Sequence, residues 1–283
     1  MCRHLAYLGP EVPLRRILME PPHGLYRQSW APRRQRHGTV NADGFGVGWY
    51  AQGDPVPARY RRSGPIWSDA SFTDLARVVR SGAFLGAVRD ATVSGADGEA
   101  AAAPFAAGTW LFSHNGAVTG WPRSLATLAR LLPPDELLSL EARCDSALVW
   151  ALVLHRLRAG EQMGQALAGT VLEVASAAPG SRLNLLLTDG EAITATAWGD
   201  TLWYLIGPGH LPQGLGPSPV VVASEPYDDD PRWQEVPDGT LLTASGGDIL
   251  LTPIKGPLDS PGTAPHHDPR ADLASVPPEE SST

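Results

Sequence analysis

Cysteine is nearly absent, with Cys2 and Cys144 the only two in 283 residues. Two such distant thiols cannot build the disulfide framework of a small secreted protein. They form no CxxC redox pair and offer no four-ligand zinc spacing. The eight histidines add no metal-ligand pattern, so neither metal nor cofactor is expected. No apolar run approaches the roughly eighteen residues of a membrane helix. The start Met-Cys-Arg-His-Leu lacks the basic-then-apolar pattern of a signal peptide, and a cytoplasmic protein is expected. Cations are also short: 22 Lys and Arg face 30 Asp and Glu, a net charge of −8. That balance argues against nucleic acid or an anionic membrane as partner. It is uneven, since residues 1–90 hold thirteen Arg against seven acids while the remainder is strongly acidic.

Glycine and proline are plentiful, 30 and 27 residues, so short elements joined by turns are expected. Apolar, β-branched and aromatic segments predict strands over 4–8, 44–50, 84–91, 109–114, 183–188, 193–198, 201–206 and 220–224. Helical periodicity covers 72–80, 124–131, 137–158 and 163–177. Ser71 or Thr73 can cap the first helix, Pro122 can enter the first turn of the second, and Gly160 can stop the third. Strands, then helices, then strands suit an α+β domain with antiparallel sheets. Residues 207–219 read as a Gly/Pro loop. From Gly256 to Thr283 large apolar residues nearly vanish, which predicts a disordered tail after a domain spanning 2–255.

Loss of the initiator methionine would leave Cys2 first, its thiol beside its own α-amine. That amine has a pKa of ~7.7–8.0, so one residue supplies nucleophile and general base. An ordinary terminal cysteine is the plainer reading, but the strand-like residues that follow tie the terminus into a sheet. Asn115-Gly116 follows the apolar run Trp110-Leu111-Phe112, and a side-chain amide with an adjacent backbone N–H can hold an oxyanion. The same pair fits a plain hairpin turn. Arg89, at a strand end, offers a planar fork to a carboxylate or makes a surface ion pair. Asp145 can bind an ammonium or cap a helix at Ser146. Cys144 reads as a core thiol. In Asn41-Ala42-Asp43-Gly44-Phe45-Gly46-Val47-Gly48-Trp49, glycine alternates with apolar residues, marking tight packing or a wall of a site.

Cys2, then NADGFGVGW, AVRDAT, SHNGAV and CDSA, in that order, resemble the class II glutamine amidotransferases of the N-terminal-nucleophile hydrolases. The resemblance extends over Cys2 to Lys255. It implies a four-layer αββα sandwich of two antiparallel sheets. It also implies roles: Cys2 as nucleophile, Asn115 and Gly116 as oxyanion hole, Arg89 with Thr92 on the substrate α-carboxylate, and Asp145 on its α-ammonium. Asn41, Asp43 and Gly44 would line the glutamyl pocket. Val93 stands where many members carry histidine, a departure that removes one supporting contact.

PPHGLYRQSWAPRRQRHG, RLNLLLTDG, TAWGDTLWYL and VASEPYDDDPRWQEVPDGTLLT lie outside that shared core. They narrow the resemblance to the branch that removes glutamate from γ-L-glutamyl-hercynylcysteine S-oxide in ergothioneine biosynthesis. The expected partner is therefore a small γ-glutamyl molecule, with a homo-oligomer left open. Aromatic faces suit the quaternary ammonium of such a leaving group, and Trp30 is a candidate wall. Asp228-Asp229-Asp230 reads as a solvated turn or as a conformational element near the site. The alternatives are a glutaminase subunit feeding ammonia to a synthase and a non-catalytic relative. The intact set Cys2, Arg89, Asn115 and Asp145 argues against the second.

Overall fold

Alternation of inward and outward side chains along the strands builds two sheets that share one apolar interface. The computed structural model describes residues 2–91, 98–209 and 218–255. The strands among them are β1 (Arg3–Pro13), β2 (Phe45–Trp49), β3 (Ala58–Arg62), β4 (Arg80–Val88), β5 (Phe105–Ala107), β6 (Trp110–Ala117), β7 (Arg182–Thr188), β8 (Ala192–Ala197), β9 (Trp203–Ile206), β10 (Val220–Ala223), β11 (Gln234–Glu235), β12 (Thr240–Ser245) and β13 (Asp248–Pro253). One sheet has the order β11-β9-β10-β1-β4-β2-β3 and the other β13-β12-β8-β7-β6-β5. The ladders are antiparallel.

On β1, Ala6 and Leu8 face the other sheet, packing with Leu85, Leu111, Leu186, Ile193 and Val222. Leu5 and Tyr7 face outward, under the short helices Arg15–Leu18, Leu25–Gln28 and Ala70–Val78. The six-stranded sheet buries its outer face against the long helices Asp145–Arg158 and Met163–Ala177. The result is the expected four-layer αββα sandwich. Among the described residues, no helix is long and apolar enough to cross a membrane.

The glycines of β2 settle as packing devices. A Cβ on Gly46 would collide with the carbonyl oxygen of Ala103, and one on Gly48 would meet Leu111 at 2.6 Å. Gly160 ends the helix Asp145–Arg158 at φ +91, as its position predicts.

Three local expectations fail. Asp69, not Ser71 or Thr73, caps Ala70–Val78 by accepting the N–H of Phe72 at 2.9 Å. The helix expected over 124–131 opens as a 3₁₀ turn, Arg123–Leu125, with Pro122 one position outside it. The helix expected over 137–158 is broken into Pro134–Leu138 and Asp145–Arg158. Between them Glu141 is held by Arg59 at 3.1 Å and Arg61 at 2.8 Å, two arginines of β3. That clamp holds the intervening chain out of helix, and the second helix starts at Asp145. The tail beyond Lys255 and part of the 207–219 loop lie outside the described residues.

Candidate active site

Cys2 precedes the first residue of β1, at the rim where both sheets open. The pairing of Arg3 with Val88 aligns it beside the end of β4. On the other flank, Ser224 donates its N–H to the His4 carbonyl at 2.9 Å and accepts the His4 N–H at 3.0 Å. A narrow cleft there is lined by Cys2, Arg89, Gly116, Trp121, Arg143 and Asp145, with Asp90, Ala91, Cys144 and Ser146 completing it. Burial pushes the Cys2 thiol up, while the backbone N–H of Asp90 and the charge of Arg89 pull it down.

Asn115 is fully buried on β6, opposite Asn184 of β7. Its Nδ2 donates to Ser224 Oγ at 3.3 Å, and unlike its neighbour Gly116 it is set behind the cleft lining. β6 continues in register through Ala117, so Asn115-Gly116 is not a hairpin turn. Gly116 is required by crowding, since a Cβ would collide with the carbonyl oxygen of Arg182.

Arg89 extends the line of β4. Its Nη1 donates to the Asp43 carbonyl at 3.1 Å, its N–H to the Gly44 carbonyl at 2.8 Å, and its own carbonyl accepts the Asp43 N–H at 2.9 Å. Asp43 Oδ2 also accepts the Ala91 N–H at 2.8 Å. Asp43 and Gly44 therefore stand behind Arg89 and brace it, outside the cleft lining. Gly44 adopts φ +133, and a Cβ there would lie 2.9 Å from the Arg62 carbonyl oxygen. Asn41 is also set back. Its Nδ2 donates to the Gln28 carbonyl and to Gln35 Oε1, both at 3.0 Å. Thr92 and Val93 lie outside the described residues.

Asp145 opens its helix, where the peptide dipoles favour a negative charge. One carboxylate oxygen accepts the Val118 N–H at 2.9 Å and the other the Ser146 N–H at 2.8 Å. Asp145 thus orders the helix start, as the capping reading expects, and the residue also lines the cleft. Cys144 is buried in the helix-side core, where burial pushes its thiol up to about 11.

The sequence did not single out several supports. His114 joins Ser146 Oγ at 3.0 Å to the Arg182 carbonyl at 2.9 Å, tying β6, β7 and the helix together. His4 lies 3.1 Å from Ser113 Oγ, and burial drives its pKa down to about 3. Arg3 is fully buried, and among the described residues only its Nε finds an acceptor, Gln35 Oε1 at 3.2 Å. Period-two alternation from Cys2 was the available signal for Arg3 and His4. Trp30 is not in the cleft lining; it packs edge-on against Tyr26 and Trp67 with the Arg27 guanidinium over its ring. Among the described residues, no group of three or more His, Cys, Asp or Glu could hold a metal ion.

Known proteins resemble this chain in sequence and in fold. The profile of class II glutamine amidotransferases matches residues 25–210. A γ-glutamyl-hercynylcysteine sulfoxide hydrolase of Mycolicibacterium smegmatis is 42% identical over 254 residues, covering 90% of this chain and all of that protein. A class-II glutamine aminotransferase domain protein from Silicibacter pomeroyi superposes with a TM-score of 0.64 at 24% identity, over 90% of this chain and all of that one. The glutamine phosphoribosylpyrophosphate amidotransferase of B. subtilis does so with a TM-score of 0.62 at 15% identity, over 89% of this chain and 49% of that one.

Proposed function

The chain belongs to the class II glutamine amidotransferases, and from that membership we propose how its cleft works and on what. It is a hydrolase of a γ-glutamyl amide bond, removing glutamate from γ-L-glutamyl-hercynylcysteine S-oxide in ergothioneine biosynthesis. The observation that carries the reading is one cleft in which Cys2 sits with a cation, Arg89, and an anion, Asp145. A γ-glutamyl head bears a carboxylate and an ammonium on one carbon, so it needs one of each.

With Met1 removed, the α-amine of Cys2 takes the thiol proton and the thiolate adds to the γ-carbonyl carbon. Asn115 Nδ2 and the Gly116 N–H hold the oxyanion. The amine passes its proton to the leaving nitrogen, the C–N bond breaks, and a γ-glutamyl thioester remains. Water, deprotonated by the same amine, attacks the thioester; the thiolate leaves and glutamate is released. Asp43 and Gly44 keep Arg89 at its post, and Asn41 holds the neighbouring loop. Thr92 belongs to the carboxylate contact by family resemblance. The enzyme acts in the cytoplasm, without nucleic acid and with residues 2–255 as the working domain.

The test is glutamate release from γ-glutamyl-hercynylcysteine S-oxide and from glutamine by the purified protein. Strong preference for the sulfoxide is expected; brisk hydrolysis of glutamine would instead indicate an ammonia-supplying subunit. The active protein should lack Met1 by intact mass, and Cys2→Ala should bind a γ-glutamyl compound without turning it over.

A further inference from the structure

A second cavity, about 410 Å³, opens beside β9 and β10 and is lined by Arg33, Arg34, Trp203, Asp228, Asp229 and Trp233 among others. Its position is tied to the catalytic rim. Ser224, which contacts both His4 and Asn115, is followed by Glu225 and then Pro226, itself part of the cavity wall. Two residues of chain span at most about 7 Å. The buried Glu225 accepts the N–H groups of Arg33 at 2.9 Å and Arg34 at 2.7 Å, which fixes the opposite wall. The charge of Glu225 also acts on buried Arg3, the residue next to Cys2. Glu225 thus fixes the Arg33–Arg34 wall of the cavity one residue beyond Ser224.

We infer that this cavity receives the leaving group of the substrate, with its trimethylammonium against the tryptophans and its carboxylate on the arginines. The inference rests on the substrate reading above. The cleft at Cys2 is narrow and its charged lining, Arg89 and Asp145, is assigned to the glutamyl head, which leaves the imidazole and trimethylammonium to lie beyond it. A quaternary ammonium has no N–H to donate and is recognised by aromatic faces and diffuse negative charge. The cavity supplies both in Trp203, Trp233, Asp228 and Asp229. The Arg34 guanidinium lies 4.5 Å from the centre of the Trp203 ring, so that face holds a cation in this structure, and the trimethylammonium would take its place as Arg34 turns to the carboxylate. Trp233 is oriented by its Nε1, which donates to Asp228 Oδ1 at 2.8 Å. Arg33, paired with Asp229 at 2.8 Å, and Arg34 offer planar forks to a carboxylate. Ammonia, the leaving group of glutamine, would gain nothing from this cavity, and the cavity is therefore a source of substrate preference.

The experiment compares wild type with Trp203→Ala and Asp229→Asn on the sulfoxide substrate and on glutamine. It adds Nα-trimethylhistidine as a free probe, followed by tryptophan fluorescence and by competition. The expected result is a KM for the sulfoxide raised tenfold or more by Trp203→Ala and severalfold by Asp229→Asn. The ratio of kcat/KM between the two substrates should fall accordingly, and the probe should compete in wild type and lose affinity in both variants. Asp229 is largely exposed, so its variant remains informative where Trp203→Ala fails to fold. Parallel losses on both substrates, or a probe that competes equally in all three proteins, would overturn the inference. A wild type that prefers glutamine overturns the substrate reading instead, while probe binding still reports on the cavity.

Discussion

Arg89 and Asp145 are each held in place before any substrate arrives, by the Asp43 carbonyl on one side and by two backbone N–H groups on the other. Under the proposed glutamyl contacts, removing either would leave a substrate charge unpaired in the cleft, at a cost of about 2–5 kcal/mol. Arg89→Ala and Asp145→Ala should each lower kcat/KM at least thirtyfold, mainly through KM, in steady-state assays. Their folding should be preserved by circular dichroism. His4 makes a separate prediction. Its folded pKa of about 3 lies below the ordinary 6.5 because burial disfavours the charged ring. A depressed pKa means stability that is complete above 6.5 and lost as pH falls toward 3. Between pH 4 and 6, the unfolding free energy of wild type in urea should fall more steeply than that of His4→Asn. The difference should approach 1.4 kcal/mol per pH unit, and equal slopes would refute a neutral buried His4. Residues that the cleft brings together were legible where local order marks them, as in Cys2, Gly116 and Arg89. Ser224 was not, because its role comes from bonding two strands far away in sequence.

At the level of elements, the segment between Pro134–Leu138 and Asp145–Arg158 shows tertiary contacts overriding periodicity. Apolar spacing runs on through Leu140, but Glu141 meets Arg59 and Arg61, and the second helix begins at Asp145. Arg143, Cys144 and Asp145 line the cleft only because of that break. Glu141→Ala should therefore cost about 1–3 kcal/mol in stability, seen as a lower Tm. It should also raise KM severalfold while kcat changes less, since the nucleophile strand is untouched. β3, β12 and β13 escaped the sequence reading for a related reason. β3 carries Arg59, Arg61 and Arg62, with no apolar alternation, and β13 is mostly exposed along an edge. Such strands exist by pairing with a neighbour, which a local pattern does not record.

For the whole molecule, part of the uneven charge is settled internally. Arginines of the first ninety residues pair with acids of the remainder, as in Arg59 and Arg61 with Glu141, Arg62 with Glu99, and Arg33 with Asp229. The described chain closes on β13, with the Ile254 N–H donating to the Gly239 carbonyl at 2.7 Å. A chain ending at Lys255 should keep the kcat/KM and Tm of the full chain; loss of either would show that residues 256–283 contribute to the domain. The amino-acid order by itself determined the α+β class, and it singled out Cys2, Asn115-Gly116, Arg89 and Asp145 as the residues of the site proposed above. Each of these is written in a short local pattern of alternation or motif. Only the tertiary structure decided that Asp43 and Gly44 brace Arg89, that Ser224 orders Asn115, and that a cavity walled by Trp203 and Arg34 stands beside the catalytic rim. Those contacts join residues dozens to nearly two hundred positions apart, and such proximity exists only once the strands have paired and the sheets have closed on each other.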